Sequence, residues 1–178
     1  MNNSKKIPNQ KGFLSIAVLI IILLVLVGGG VYFSKRNNSG TPKTDDENVP
    51  TVTGKVLNLS NQNLTKAPDY IFNQRDTVEL NLSNNLIGGA LQSQIQNLQN
   101  LKVLNLSNNK FTGVPAEVGQ LKKLEILNLS NNQLTGLPYE LGNLSNLKLL
   151  DLTGNNYSEA DLATIRKNLP AETVVKTD

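Results

Sequence analysis

The sequence predicts an α/β fold: a solenoid of about five repeats with a parallel β-sheet on its concave face, an irregular or 3₁₀ convex side and a C-terminal capping helix, preceded by one transmembrane helix. Three observations lead there. Strings of one pattern start at Lys55, Val78, Lys102, Glu125 and Lys148, at spacings of 23, 24, 23 and 23 residues. Within each string leucines alternate with polar residues. Ahead of the strings lies a single uncharged apolar run. A fixed period of this size marks a solenoid, in which each unit hides its apolar face only by stacking on the next.

Residues 1–12 are a short basic segment carrying Lys5, Lys6 and Lys11. From Phe13 to Val27 the one polar side chain is Ser15, and the uncharged run continues to Phe33, 21 residues in all. A helix of that length reaches roughly 31 Å, the thickness of a bilayer's hydrocarbon core. In lipid a helix keeps every backbone group bonded, so residues 13–33 are expected to span a membrane. Lys35, Arg36 and Lys43 follow the span. The short basic start favours an N-in topology, with the repeats outside the cytoplasm. A cleaved signal peptide is the competing expectation, because small residues Gly28 and Gly30 follow the apolar core; the repeats would then be secreted. The Lys11–Gly12–Phe13 junction resembles the leader of type IV pilin-like proteins, although Ala17 stands where that family has a Glu.

Residues 34–53 are polar, rich in Asn, Thr and Pro, and nearly free of large apolar groups. Such a segment cannot bury enough surface to offset its ordering entropy, and reads as a flexible linker. Its average reach is roughly 25 Å. Asp45, Asp46 and Glu47 read as a solvated charge run.

From residue 54 to 178 the repeats take over. Leu57/Leu59, Leu80/Leu82, Leu104/Leu106, Leu127/Leu129 and Leu150/Leu152 show the period of two that gives a strand one buried face. Five such strands at about 4.8 Å make a parallel sheet, and parallel neighbours need crossovers, which the remainder of each repeat supplies. Leu64, Ile87, Phe111, Leu134 and Tyr157 are expected to fold back under the sheet. In the return arms Val114/Val118/Leu121 and Leu137/Leu141/Leu144 close the core. Asn85, Asn109, Asn132 and Asn155 sit between strand and arm, where an amide can serve backbone donors and acceptors that would otherwise be buried unpaired.

The pattern L-x-x-L-x-L-x-x-N-x-L resembles the leucine-rich repeat family over about residues 54–169. That resemblance implies a stacked ladder of the four asparagines. The first repeat departs from it, with Gln62 in the ladder position. The arms around Pro115 and Pro138 resemble the 23-residue form of the repeat. The arm Ile87–Leu101 looks like the 24-residue plant-type form, with Gln92 in place of its usual Pro. No arm keeps a helical period over ten residues, so short 3₁₀ or extended segments are expected.

The cap begins at about 158. Ser158 with Asp161 three positions on is close to a capping box. Leu162, Ile165 and Leu169 follow at helical spacing, and Pro170 stops the helix. A helix here would cover the open edge of the last strand. The tail 171–178 is expected to add one short extended piece or to fray.

Composition removes most chemistry. The chain has no Cys, His or Trp, so thiolate nucleophiles, Ser-His-Asp triads and the commonest metal ligands are absent. No catalytic, cofactor-binding or metal-binding residue is expected, and the chain reads as a non-enzyme. Residues 1–53 hold six basic and three acidic side chains, and 54–178 eleven of each. That balance argues against nucleic acid. The resemblance implies that binding uses the concave sheet, whose outward columns are Val56, Glu79, Val103, Ile126, Leu149 and Asn58, Asn81, Asn105, Asn128, Asp151. The function expected is a membrane-anchored module for protein–protein interaction at a bacterial cell envelope. Its partner would be a protein or peptide, with a glycan also open, and its membrane contact residues 13–33. The alternative is a structural envelope or pilin-like surface component whose repeats have no dedicated ligand.

Overall fold

The computed structural model describes residues 54–178. The basic segment 1–12, the expected membrane helix 13–33 and the linker 34–53 lie outside the described residues. No helix among the described residues is long and apolar enough to cross a membrane.

The alternating strings form strands. These are β1 (Lys55–Asn58), β2 (Thr77–Asn81), β3 (Gly88–Ala90), β4 (Val103–Asn105), β5 (Lys110–Gly113), β6 (Ile126–Asn128), β7 (Leu149–Asp151) and β8 (Val174–Lys176). Six of them make one parallel sheet in the order β1-β2-β4-β6-β7-β8. The register keeps equivalent residues side by side: Leu57↔Leu80↔Leu104↔Leu127↔Leu150↔Val175. From Leu80 to Leu150 these leucines are fully buried in one continuous core. Leu57, Leu59 and Leu64 are only partly buried, because β1 is the first strand of the sheet.

Each return arm carries a five-residue 3₁₀ helix, at Asp69–Asn73, Ser93–Asn97, Ala116–Gln120 and Tyr139–Asn143. Pro68, Pro115 and Pro138 precede three of them. Proline holds φ near −65° and gives up no bond there, since the first N–H of a helix has no partner. Gln92 takes the same extended backbone before the other helix (φ −68°, ψ 139°). Its side chain also donates from Nε2 to the Ala67 carbonyl at 2.9 Å. Ile71, Ile95, Val118 and Leu141 point from the arms into the core. The short 3₁₀ segments agree with the missing helical period.

Two features depart from the expectation. In the coil that follows β2, Gly88–Ala90 pairs in parallel with β5 as a second, two-stranded sheet, with Gly89 at φ +72°. Glycines have low strand propensity, so nothing local marks this strand. At the C-terminus the helix α1 (Glu159–Arg166) does form, with Ser158 Oγ accepting the Asp161 N–H at 3.4 Å. It does not cover the edge of β7. That edge is taken by β8, which pairs Val174, Val175 and Lys176 with Leu149, Leu150 and Asp151. The helix instead occupies the place of a fifth return arm, burying Leu162 and Ile165 against the Tyr139–Asn143 segment. The tail does not fray, because Thr173 Oγ1 donates to the Leu147 carbonyl at 2.7 Å and Val174 N–H to Lys148 at 2.9 Å.

Candidate functional site

Strand alternation puts Val56, Glu79, Val103, Ile126 and Leu149 on the face opposite the core leucines, aligned in register. Asn58, Asn81, Asn105, Asn128 and Asp151 form the next column. Val56, Glu79 and Val103 are half-buried, whereas Ile126 and Leu149 are buried outside the main core cluster. Asn58 is exposed and Asn81 half-buried, but Asn105, Asn128 and Asp151 are buried. A residue of β1 has a neighbouring strand on one side only, while those of the inner strands are flanked on both.

The second column does more than solvate the sheet. Asn105 Oδ1 accepts the Ser107 N–H at 3.1 Å and the Ser107 hydroxyl at 2.8 Å. Asn58 does the same with Ser60, Asn128 with Ser130, and Asp151 with Thr153. Asn81 accepts the Ser83 N–H at 3.0 Å. Each is an Asx turn that ends a strand. The turn uses the oxygen and leaves the amide nitrogen for other partners. Asp151 therefore replaces Asn without altering the turn, since only an oxygen is needed.

Behind these turns stands the asparagine row. Asn109 Nδ2 donates to the carbonyls of Leu82 in the preceding coil and of Leu106 and Ser107 in its own, at 2.9, 3.1 and 3.2 Å. Its Oδ1 accepts the Ile87 N–H at 3.1 Å. Asn85, Asn132 and Asn155 make the corresponding bonds, with Leu59, Leu106 and Leu129 as the carbonyls of the preceding coil. Just before each stands a residue with positive φ: Asn84, Asn108, Asn131 and Gly154, at 53° to 68°, with Asn61 at 58° in the first coil. Asn and Gly are the residues that enter this region at least cost. The Asn-Asn and Gly-Asn pairs in the repeats carry that signal in the sequence, beyond the leucine pattern.

Charge on this face is sparse. Burial pushes the Glu79 carboxyl above the ordinary carboxylate range. At the edge where the strands begin, Glu125 lies between Lys102 and Lys148, with Nζ–Oε distances of 3.6 and 2.5 Å. Lys176 is 4.0 Å from Asp151. No group of acids among the described residues has metal-binding geometry. Of the return-arm aromatics, Phe72 is buried, but Tyr70 and Tyr139 are exposed on the convex side.

Residues 99–156 match the family described as Leucine rich repeat, and residues 77–98 a second description, Leucine Rich Repeat. No curated protein matches the chain. Among solved structures, a leucine-rich repeat protein of Leptospira interrogans is 45% identical with a TM-score of 0.59, over 63% of this chain and 28% of that one. The leucine-rich repeat ectodomain of the receptor kinase SOBIR1 from Arabidopsis thaliana is 30% identical with a TM-score of 0.56, over 68% and 67%. A plant peptide hormone receptor, RGFR1, in complex with RGF2, is 32% identical with a TM-score of 0.51, over 62% and 19%. This chain thus spans little more than a quarter of the Leptospira protein.

Proposed function

The chain belongs to the leucine-rich repeat family, and from that premise we propose that it is a membrane-anchored binding module of the cell envelope. Leucine-rich repeat domains generally mediate protein–protein interaction. One observation carries the assignment to the concave face: the parallel strands align four amides, Asn58, Asn81, Asn105 and Asn128, whose nitrogens the Asx turns do not use, beside the half-buried Val56 and Val103. Such a surface suits a protein segment or peptide laid across the strands, with its carbonyls toward the amides and apolar side chains against Val56 and Val103. The peptide hormone in the RGFR1 complex supports a ligand of that class. The apolar run 13–33 supports the anchor, and the basic residues before it support an N-in topology.

The test is site-specific cross-linking in the cells that express the protein. A photoreactive side chain at Val103 is expected to trap a discrete partner, and one at the exposed Ala116 on the convex side to trap none. Equal labelling from both positions would remove the concave assignment. Protease treatment of intact cells should shave the repeats, and complete protection would reverse the topology.

A further inference from the structure

Parallel pairing puts the start of every strand on one edge of the solenoid. The first residue of β1, Lys55, and the turns leading into the later strands, with Arg75, Lys102, Lys122, Lys123 and Lys148, hold six of the eleven basic residues between 54 and 178. All but Lys55, which is half-buried, are exposed. Acids on the same edge are Asp76, Glu125 and Glu172, whereas Asp69, Glu117, Glu140 and Glu159 fall on the convex arms and helix α1. The edge is continuous across coils. Lys55 donates to the Gln74 amide oxygen, Asn100 Nδ2 to the Arg75 carbonyl at 2.9 Å, and Lys123 Nζ to Asn100 Oδ1 at 2.8 Å. Lys122 Nζ reaches the Asn143 carbonyl at 2.8 Å, and Asn146 Nδ2 the Lys122 carbonyl at 2.7 Å. Counted along the sequence, the charges of 54–178 cancel. Folding places six cations against three acids on this edge, with Glu125 shared between Lys102 and Lys148, and so leaves the edge an excess of cations.

The chain also enters the solenoid at this edge, since Lys55 is the first residue of β1. Twenty residues separate the apolar run ending at Phe33 from Gly54. A flexible chain of twenty residues has an average reach of roughly 25 Å. Clustered Lys and Arg beside a membrane segment are attracted to anionic headgroups within a Debye length of about 8 Å. We propose that this basic edge rests on an anionic lipid surface and so sets the solenoid on its side, with the concave face clear of the bilayer. The proposal rests on the reading of residues 13–33 as an anchor.

The chain has no cysteine, so one introduced thiol is a unique labelling site. The full chain is reconstituted with vesicles of phosphatidylcholine, or of phosphatidylcholine mixed with phosphatidylglycerol. A fluorophore is placed on Ser145→Cys, at the exposed edge, or on Gln133→Cys, beyond the opposite strand ends. A headgroup quencher is expected to quench the Ser145→Cys probe in mixed vesicles only. That quenching should be lost at high salt and in K102Q/K123Q/K148Q, and the Gln133→Cys probe should be unaffected. Flotation with pure phosphatidylcholine reports the anchor separately. Flotation with both vesicles and no dependence of quenching on lipid charge overturns the docking alone. Flotation and edge quenching with mixed vesicles only support the docking and end the anchor reading. No flotation with either overturns both. Saturable binding of a soluble polyanion, with no response to lipid charge, overturns the lipid assignment.

Discussion

Asn109 and Leu82 lie in successive coils, 27 residues apart in sequence, and the Asn109 Nδ2 donates to the Leu82 carbonyl at 2.9 Å. With its three other bonds the same side chain ties the coil of β4 to that of β2. Asn109→Ala would leave several buried backbone groups unpaired at once. Each such group costs about 1–3 kcal/mol, so the loss is expected to reach about 3 kcal/mol or more. Urea denaturation measures it, and amide exchange at Ile87 should accelerate in the variant. Unchanged stability would mean that water serves these groups equally well.

Gly119 tests how closely the arms approach. A Cβ there would sit 2.1 Å from the Glu140 carbonyl oxygen, and backbone cannot move aside as a side-chain tip can. Gly119→Ala is expected to cost about 1–3 kcal/mol. At Gly136 the nearest atom to an added Cβ is Asp161 Oδ2 at 3.5 Å, so Gly136→Ala should be tolerated. Thermal midpoints of the two variants should separate clearly.

Asn108, at φ 55°, tests the conformation before the asparagine row. Asn108→Gly is expected to be close to neutral. Asn108→Val, β-branched in the left-handed region, should lose about 1–2 kcal/mol. Equal stabilities would show that the turn relaxes without cost.

Glu79 gives the domain a pH dependence. It stands between Val56 and Val103, and burial raises its pKa. The folded state therefore holds the proton more tightly than the unfolded chain, whose carboxylate titrates near about 4.3. This contribution to stability is complete below the unfolded value, falls as pH rises to the folded value, and is constant above it. Glu79→Gln should raise the melting temperature at pH 7 and leave it nearly unchanged at pH 3. The same increment at both values would exclude titration of Glu79 as the cause.

Asp161 joins the cap to the last full coil, because Oδ2 accepts the Leu137 N–H at 3.2 Å while its own N–H bonds Ser158. Asp161→Ala should loosen α1 more than Thr164→Ala, which removes only a bond to the Ala160 carbonyl within the helix. Exchange of the helix amides distinguishes the two.

The sequence by itself determined the repeat period, the buried leucines and the positions of the four asparagines, because a solenoid writes its long-range contacts as a local pattern that recurs every coil. Alternation alone tells Leu104 from Asn105, and Pro115 and Pro138 announce 3₁₀ starts without reference to any neighbour. Tertiary structure decided what depends on which coil lies alongside. β3 exists only because Lys110–Gly113 runs beside two glycines, and β8 because Val174–Lys176 finds the free edge of β7. Stacking also turned a neutral count of charges into a basic edge. Residues 22 or more positions apart become neighbours at about 4.8 Å, and that proximity is paid for by the whole core rather than by any local preference.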